Sequence, residues 1–251
     1  MMPRIQIAPN GPTLSRMVYG TWRMLDDAPS AQDINRRLNL CLDLGITTID
    51  GAEIYGGYAQ EAALGAGLAL SPGLRDRLEL VTKSGIYIPH PSAPGRRVAH
   101  YDVTAKRLIE CADGALKRLG TDRIELFLVH RPDWLTSIDD TAEGLNTLLA
   151  SGKIAAAGVS NYSPSQYAAL NSRMAQPLVT NQVEFNLLHM DPIYDGTFDQ
   201  AQTERARPMA WSPLAGGSLF DASSAAGQRL AAEARLIAPK YGDATLEQLA
   251  Y

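Results

Sequence analysis

Four side chains between residues 50 and 130 have types that work together as a proton donor: Asp50, Tyr55, Lys83 and His130. A tyrosine phenol normally has a pKa of about 10, too high for ready proton transfer at neutral pH. An ammonium close by favours the phenolate and lowers that pKa, and Lys83 can supply one. Asp50 can pair with Lys83, fixing it and keeping it charged. His130 can then donate a hydrogen bond that orients a substrate oxygen. Together these groups make an acid able to protonate an alkoxide as it develops on a carbonyl carbon.

A carbonyl also needs a hydride, which no side chain delivers, so a cofactor must bring it. No strand is followed by Gly-x-Gly-x-x-Gly, and no Gly-Lys-Ser/Thr phosphate loop is present. The cofactor must be held by another arrangement. Asn161 and Gln182 can each hydrogen-bond a carboxamide, and Trp211 offers a flat face to an aromatic ring.

These residues need elements to position them, and the chain alternates short β-branched runs with longer helical patterns. The expected strands are Met17–Tyr19, Ile46–Ile49, Leu78–Thr82, Ile124–Val129, Ile154–Val159, Leu178–Asn181 and Arg207–Trp211. The expected helices are Ala31–Leu44, Gln60–Leu70, Thr104–Leu119, Asp139–Ser151 and Ser165–Arg173, with further helical sequence from Ser224 to Tyr251. Ser30 caps the first, Ser163 with Pro164 starts the fifth, and Gly45, Gly120 and Gly152 end the first, third and fourth. Arg4–Ala8 and Ser15–Met17 suggest a small hairpin.

Strands alternating with helices imply a parallel sheet with right-handed crossovers, open or closed. The polar residues favour closure. Asp50, Lys83, His130, Ser160 with Asn161, Gln182 and Trp211 are each expected at or just past the carboxyl end of successive strands. A closed barrel gathers those ends around one mouth. An open sheet spreads them along a crevice. The expectation is therefore a TIM barrel in one domain, residues 1–251.

Composition agrees with a globular protein: 251 residues, 45% apolar, 20% charged, and a net charge of −4. No basic run suggests a nucleic-acid partner, no apolar stretch is long enough to span a bilayer, and residues 1–10 lack a signal-peptide pattern. Cys41 and Cys111, at no ligand or redox spacing, are expected to be reduced thiols packed on helices of a cytoplasmic protein.

The ordered motifs resemble those of the aldo-keto reductases over nearly the whole chain. Gly20-Thr21-Trp22 resembles that family's first-strand end, and Asp50-Gly51-Ala52-Glu53-Ile54-Tyr55-Gly56 its Asp-x-Ala-x-x-Tyr-Gly signature. Thr82-Lys83, Leu128-Val129-His130, Gly158-Val159-Ser160-Asn161, Asn181-Gln182-Val183-Glu184 and Trp211-Ser212-Pro213-Leu214 follow in family order. The resemblance implies an α/β fold, the (β/α)8 barrel, and reduction of an aldehyde or ketone with NADPH, NADH also being admitted. It assigns Tyr55 as general acid, tuned by Lys83 and Asp50, with His130 orienting the carbonyl; Trp22 and Trp134 are separately candidates for aromatic pocket walls, core or loop packing being an equal alternative for Trp134. The resemblance places Ser160, Asn161 and Gln182 at the nicotinamide carboxamide and Trp211 on the ring. Ser212, Leu214 and Gly216 fall near the pyrophosphate, and Gly20, Thr21 and Asp50 near the ribose. By the same comparison, the eighth strand, the segment that binds the adenosine 2′-phosphate and the C-terminal helices are missing from this chain.

Three rival readings remain open. A module of the same fold can bind the nicotinamide cofactor without turning over. A lyase could use Lys83 as a Schiff-base nucleophile, which requires a neutral lysine. A metal-dependent hydrolase could use Asp50, Glu53 and His130, although their spacing matches no common ligand pattern. The loop Ser84–Asp102, with Tyr87, His90, Arg96, Arg97, His100 and Tyr101, is expected to border the substrate pocket.

Overall fold

The computed structural model describes residues 2–251; Met1, the first residue of the segment read for a leader, lies outside them. The strands are β1 (Arg4–Gln6), β2 (Thr13–Ser15), β3 (Val18–Gly20), β4 (Thr48–Asp50), β5 (Glu79–Ser84), β6 (Ile86–Tyr87), β7 (His100–Tyr101), β8 (Leu126–Val129), β9 (Ala157–Ser160), β10 (Asn181–Glu184) and β11 (Met209–Trp211). The helices are α1 (Ala31–Asp43), α2 (Gln60–Ala69), α3 (Ala105–Leu119), α4 (Ile138–Ala150), α5 (Pro164–Asn171), α6 (Asp191–Tyr194), α7 (Thr197–Thr203), α8 (Ala225–Ile237) and α9 (Leu246–Ala250). No helix among the described residues is long and apolar enough to cross a membrane.

Seven strands form one parallel sheet in the order β11-β10-β9-β8-β5-β4-β3. The sheet is strongly curled. Gln182 on β10 donates from Nε2 to Asp50 Oδ1 on β4 at 3.3 Å. Those strands are four positions apart, about 19 Å in a flat sheet. The architecture is a half-barrel of the (β/α)8 kind, as expected.

Alternation along each strand divides the apolar residues into two sets. Ile49, Leu80, Phe127, Val129 and Val159 face outward and pack with Ile34 and Leu38 of α1, Leu64 and Leu68 of α2, Leu108 of α3 and Leu145 of α4. Val81, Leu126, Leu128, Ala156 and Val179 face inward and meet Ile7, Ala8 and Leu14 of the β1–β2 region, which plugs the amino ends of the strands. Inside β5 this parity puts Lys83 on the same face as Val81; beyond β8 it puts His130 on the face of Leu128.

The helix boundaries follow the expected chemistry. Ser30 and Asp33 form a reciprocal capping box on α1, and Ser163 with Gln166 does the same on α5, with Pro164 in its first turn. Gly120 ends α3 in the left-handed conformation, φ 66°. Cys41 and Cys111 are unpaired and buried, on α1 and α3. The strands begin one to three residues later than expected. Leu178–Asn181 becomes Asn181–Glu184, although Val179 N–H already donates to Ala157 O at 3.0 Å. Strand ends blur in this way because ladder bonds begin before the backbone is regular. Asp50, Lys83, Ser160, Gln182 and Trp211 therefore lie within their strands, and only His130 and Asn161 lie past the ends.

Four segments depart from expectation. The hairpin's second strand is Thr13–Ser15 rather than Ser15–Met17. The short helices α6 and α7, and the small β6–β7 ribbon, have too few residues to show a period. The C-terminal helical sequence is interrupted by a turn over Ala238–Tyr241 and by Gly242 at φ 70°, and Thr245 with Gln248 then caps α9 afresh.

Candidate active site

At the carboxyl ends of the strands, Lys83 is 1% exposed and its ammonium has three neighbours. Nζ donates to Asp50 Oδ2 at 2.7 Å, to Gly51 O at 2.9 Å and to Tyr55 Oη at 3.4 Å. Burial works against the charged form of Lys83, but Asp50 and Tyr55 outweigh it and hold the pKa above the ordinary lysine value. The lysine therefore stays charged, and the neutral amine that a Schiff base requires is disfavoured.

Tyr55 begins a short turn, Tyr55–Tyr58, that follows β4. Gly56 (φ 55°), Gly57 (φ 61°) and Tyr58 (φ 71°) are successively left-handed, and Tyr58 is under strain there because it carries a Cβ. The His130 ring meets the Tyr55 ring edge-on, centroids 5.9 Å apart. The expected lowering of the Tyr55 pKa does not appear in sum. Burial raises it, Asp50 adds to the rise, and the pull of Lys83 and Arg131 is weaker than both together. The phenol is thus held protonated. His130 moves the other way: burial first, then the charges of Lys83 and Arg131, push it down to about 2, and the imidazole is neutral. Its Nδ1 is buried with no hydrogen-bond partner.

Beside this cluster lies a second one. Trp211 Nε1 donates to Asn161 Oδ1 at 2.9 Å; Asn161 Nδ2 donates to Ser160 Oγ at 2.8 Å and to His130 O at 3.2 Å; Ser160 Oγ donates to Gln182 O at 2.8 Å. Both Asn161 amide hydrogens are engaged, so toward a carboxamide it can only accept. Gln182 spends one amide hydrogen on Asp50 and keeps the rest of its amide for a ligand. Asn161 (φ 61°) and Ser212 (φ 49°) are also left-handed, as befits backbone held in shape around a site.

The remaining expected residues are less tightly joined. Thr21 is fully buried, and both its N–H and its hydroxyl donate to Asp50 O, at 2.9 and 2.8 Å. Its hydroxyl therefore fixes β4 rather than facing a ligand. Gly20 pairs in register with Asp50 at an exposed strand end where a Cβ would meet nothing within 4 Å. Leu214 is half-buried, and Gly216 is exposed at φ 63°, where a Cβ would come within 3.8 Å of Arg23 Nη2. Trp22 is 58% exposed, with the Arg23 guanidinium 5.0 Å from its ring centre, and is not bonded to the Tyr55 cluster. Glu53, weighed above as a metal ligand, is instead held by Arg107 Nη2, 2.6 Å from both carboxylate oxygens, and by Arg96.

The residues present fit a nicotinamide. A half-buried Trp211 face, a partly free Gln182 amide, an unpartnered His130 nitrogen and open space at Gly20 gather at the carboxyl ends of the strands. Sequence reasoning missed Arg131, whose guanidinium is 5.9 Å from the Trp211 ring centre and whose charge reaches both Tyr55 and His130. It also missed Arg107, and there a signal existed: a charged residue on the apolar stripe of α3, beside Leu108 and Cys111.

A half-barrel with a lysine–carboxylate pair under a phenol at its mouth is the candidate site. Residues 16–251 match the Aldo/keto reductase family, and the chain belongs to that family. It is 46% identical over 239 residues to the 6-dehydroglucose reductase of Agrobacterium fabrum, covering 95% of this chain and 80% of that protein. It is 43% identical over 251 residues to Oxidoreductase YdhF of Escherichia coli, covering all of this chain and 83% of that protein. Its fold matches the crystal structure of the thermostable aldo-keto reductase Tm1743 in complex with the inhibitor epalrestat. The TM-score is 0.81 at 26% identity, across 99% of this chain and 83% of the other.

Proposed function

We propose that the protein reduces an aldehyde or ketone to an alcohol, with Tyr55 as the proton donor and a reduced nicotinamide, NADPH before NADH, as the cofactor. When bound, that cofactor supplies the hydride. Gln182 and the accepting oxygen of Asn161 would hold its carboxamide, Trp211 would lie against its ring, and Ser212–Gly216 would take the pyrophosphate. His130, neutral, donates an N–H to the carbonyl oxygen and fixes its direction. Tyr55 gives its phenolic proton to the same oxygen as negative charge develops there. Lys83 then stabilises the phenolate left behind, and Asp50 keeps Lys83 charged throughout. The raised pKa of the phenol suits this order: it remains protonated until an alkoxide, a far stronger base, forms beside it.

The observation that carries this reading is the Lys83 ammonium, buried and shared between Asp50 and Tyr55. The name of the Agrobacterium relative makes 6-dehydroglucose the first substrate to try. In Tyr55→Phe, kcat should fall about 10²- to 10⁴-fold, while NADPH still quenches the tryptophan fluorescence as it does in the parent. Turnover surviving in Tyr55→Phe would remove the phenol from the mechanism. Cofactor binding with no turnover of any carbonyl by the parent protein would favour the sensing module instead.

A further inference from the structure

A second ion cluster is built around Glu53, two residues before the Tyr55 turn. Glu53 is 6% exposed, and its N–H donates to Lys83 O at 2.9 Å. Arg107 ties its carboxylate to α3, and Cys111 Sγ donates to it at 3.4 Å. Those partners belong to the barrel wall. The remaining one does not: Arg96 Nη2 reaches Glu53 Oε1 at 3.2 Å from the loop between β6 and β7. The Arg96 guanidinium lies 4.2 Å from the Tyr58 ring centre and 4.6 Å from that of Tyr87. Around it, Tyr58 Oη donates to Ile88 O at 2.9 Å and accepts from Ile88 N–H at 2.8 Å, and Ser92 Oγ donates to Gly57 O at 2.8 Å. The loop is therefore joined to the Tyr55 turn at Glu53, Gly57 and Tyr58, on both sides of the phenol.

We propose that Arg96 is a positioning residue that latches the 84–102 loop onto the Tyr55 turn, so that closing the loop and placing the proton donor are one event. This rests on the reading of Tyr55 as the acid. The physical reason is the left-handed run Gly56-Gly57-Tyr58. A non-glycine residue persists in that conformation only where its surroundings hold it. Arg96 covers the Tyr58 ring while anchoring on Glu53. Without it the turn relaxes, and Tyr55, three residues upstream, moves with it. A displacement of about 1 Å at a reacting group can cost about 10²-fold in rate.

Arg96→Ala and Arg96→Lys, made in the whole chain, test this by backbone hydrogen exchange and by steady-state kinetics with a generic aldehyde. In Arg96→Ala, exchange should quicken both in 84–102 and in 51–59, with α3 unchanged. Its kcat should fall about 10- to 100-fold with KM within about threefold. Arg96→Lys, which keeps the ion pair but not the planar face, should recover part of both. Faster exchange confined to 84–102, with kcat intact, overturns the latch. A change in KM alone makes Arg96 a substrate contact and overturns it too. If the parent turns over no carbonyl, the reductase reading fails by itself, and exchange in 51–59 still decides the latch.

Discussion

Two buried or partly buried ion pairs sit at opposite ends of the same strands. At the amino ends, Arg75 donates to Glu125, to Leu78 O at 2.8 Å, to Arg123 O at 2.7 Å and to Thr121 Oγ1 at 2.9 Å. Glu125 in turn accepts from Leu80 N–H at 2.8 Å and from Arg123. Each group spends its hydrogen bonds on backbone or on neighbours already fixed by the sheet. At the carboxyl ends, Lys83 and Asp50 also pair, but part of their capacity points at a phenol and a glutamine amide, beside an imidazole with an unpartnered nitrogen. A pair that saturates itself is a clamp. A pair that leaves neighbouring groups unpartnered is a candidate site.

The comparison is sharpened by removing the cation at each end. Lys83→Met should lower the unfolding free energy by about 3–5 kcal/mol, because it strands a buried carboxylate. It should also abolish turnover. Arg75→Met should lower stability by about 2 kcal/mol, the range for losing hydrogen bonds to a charged group. Glu125 keeps two partners there, and kcat should stay at the parent value. Urea unfolding and initial-rate measurements on both variants give the answer. Loss of turnover in Arg75→Met as deep as in Lys83→Met would break the distinction between clamp and site.

What was legible in the chain follows the same division. The polar side chains at the strand ends could be read because each stands beside a β-branched run in a fixed order, and strand parity turns Lys83 and His130 inward without any tertiary detail. Ser30, Ser163 and Gly120 act locally, and so they were readable too. The Glu53–Arg96–Arg107 cluster was not. Its members are 43 and 54 residues apart, and only the packed barrel brings them together. The direction of the Tyr55 shift failed for a related reason: an ammonium can be inferred from sequence, but the burial that outweighs it belongs to the closed turn. Pro239 and Gly242 carry a local signal that the C-terminal helix breaks, against a helical period that runs on through them.

The smallest expected effect concerns His130. Its folded-state pKa is pushed from 6.5 to about 2, by burial first and then by Lys83 and Arg131. Between those values the unfolded chain binds a proton at this position and the folded chain does not. Stability therefore rises with pH through that window and gains nothing further from His130 above 6.5. Replacing His130 with Asn removes this contribution, so the rise in urea midpoint between about pH 5 and pH 7 should be shallower than in the parent. Arg75→Met should leave that pH dependence unchanged, since the clamp at the amino ends contains no histidine. An unaltered slope in His130→Asn would mean that the imidazole takes up its proton in the folded state. The site would then hold a cation where the proposed mechanism needs a neutral donor beside the substrate oxygen.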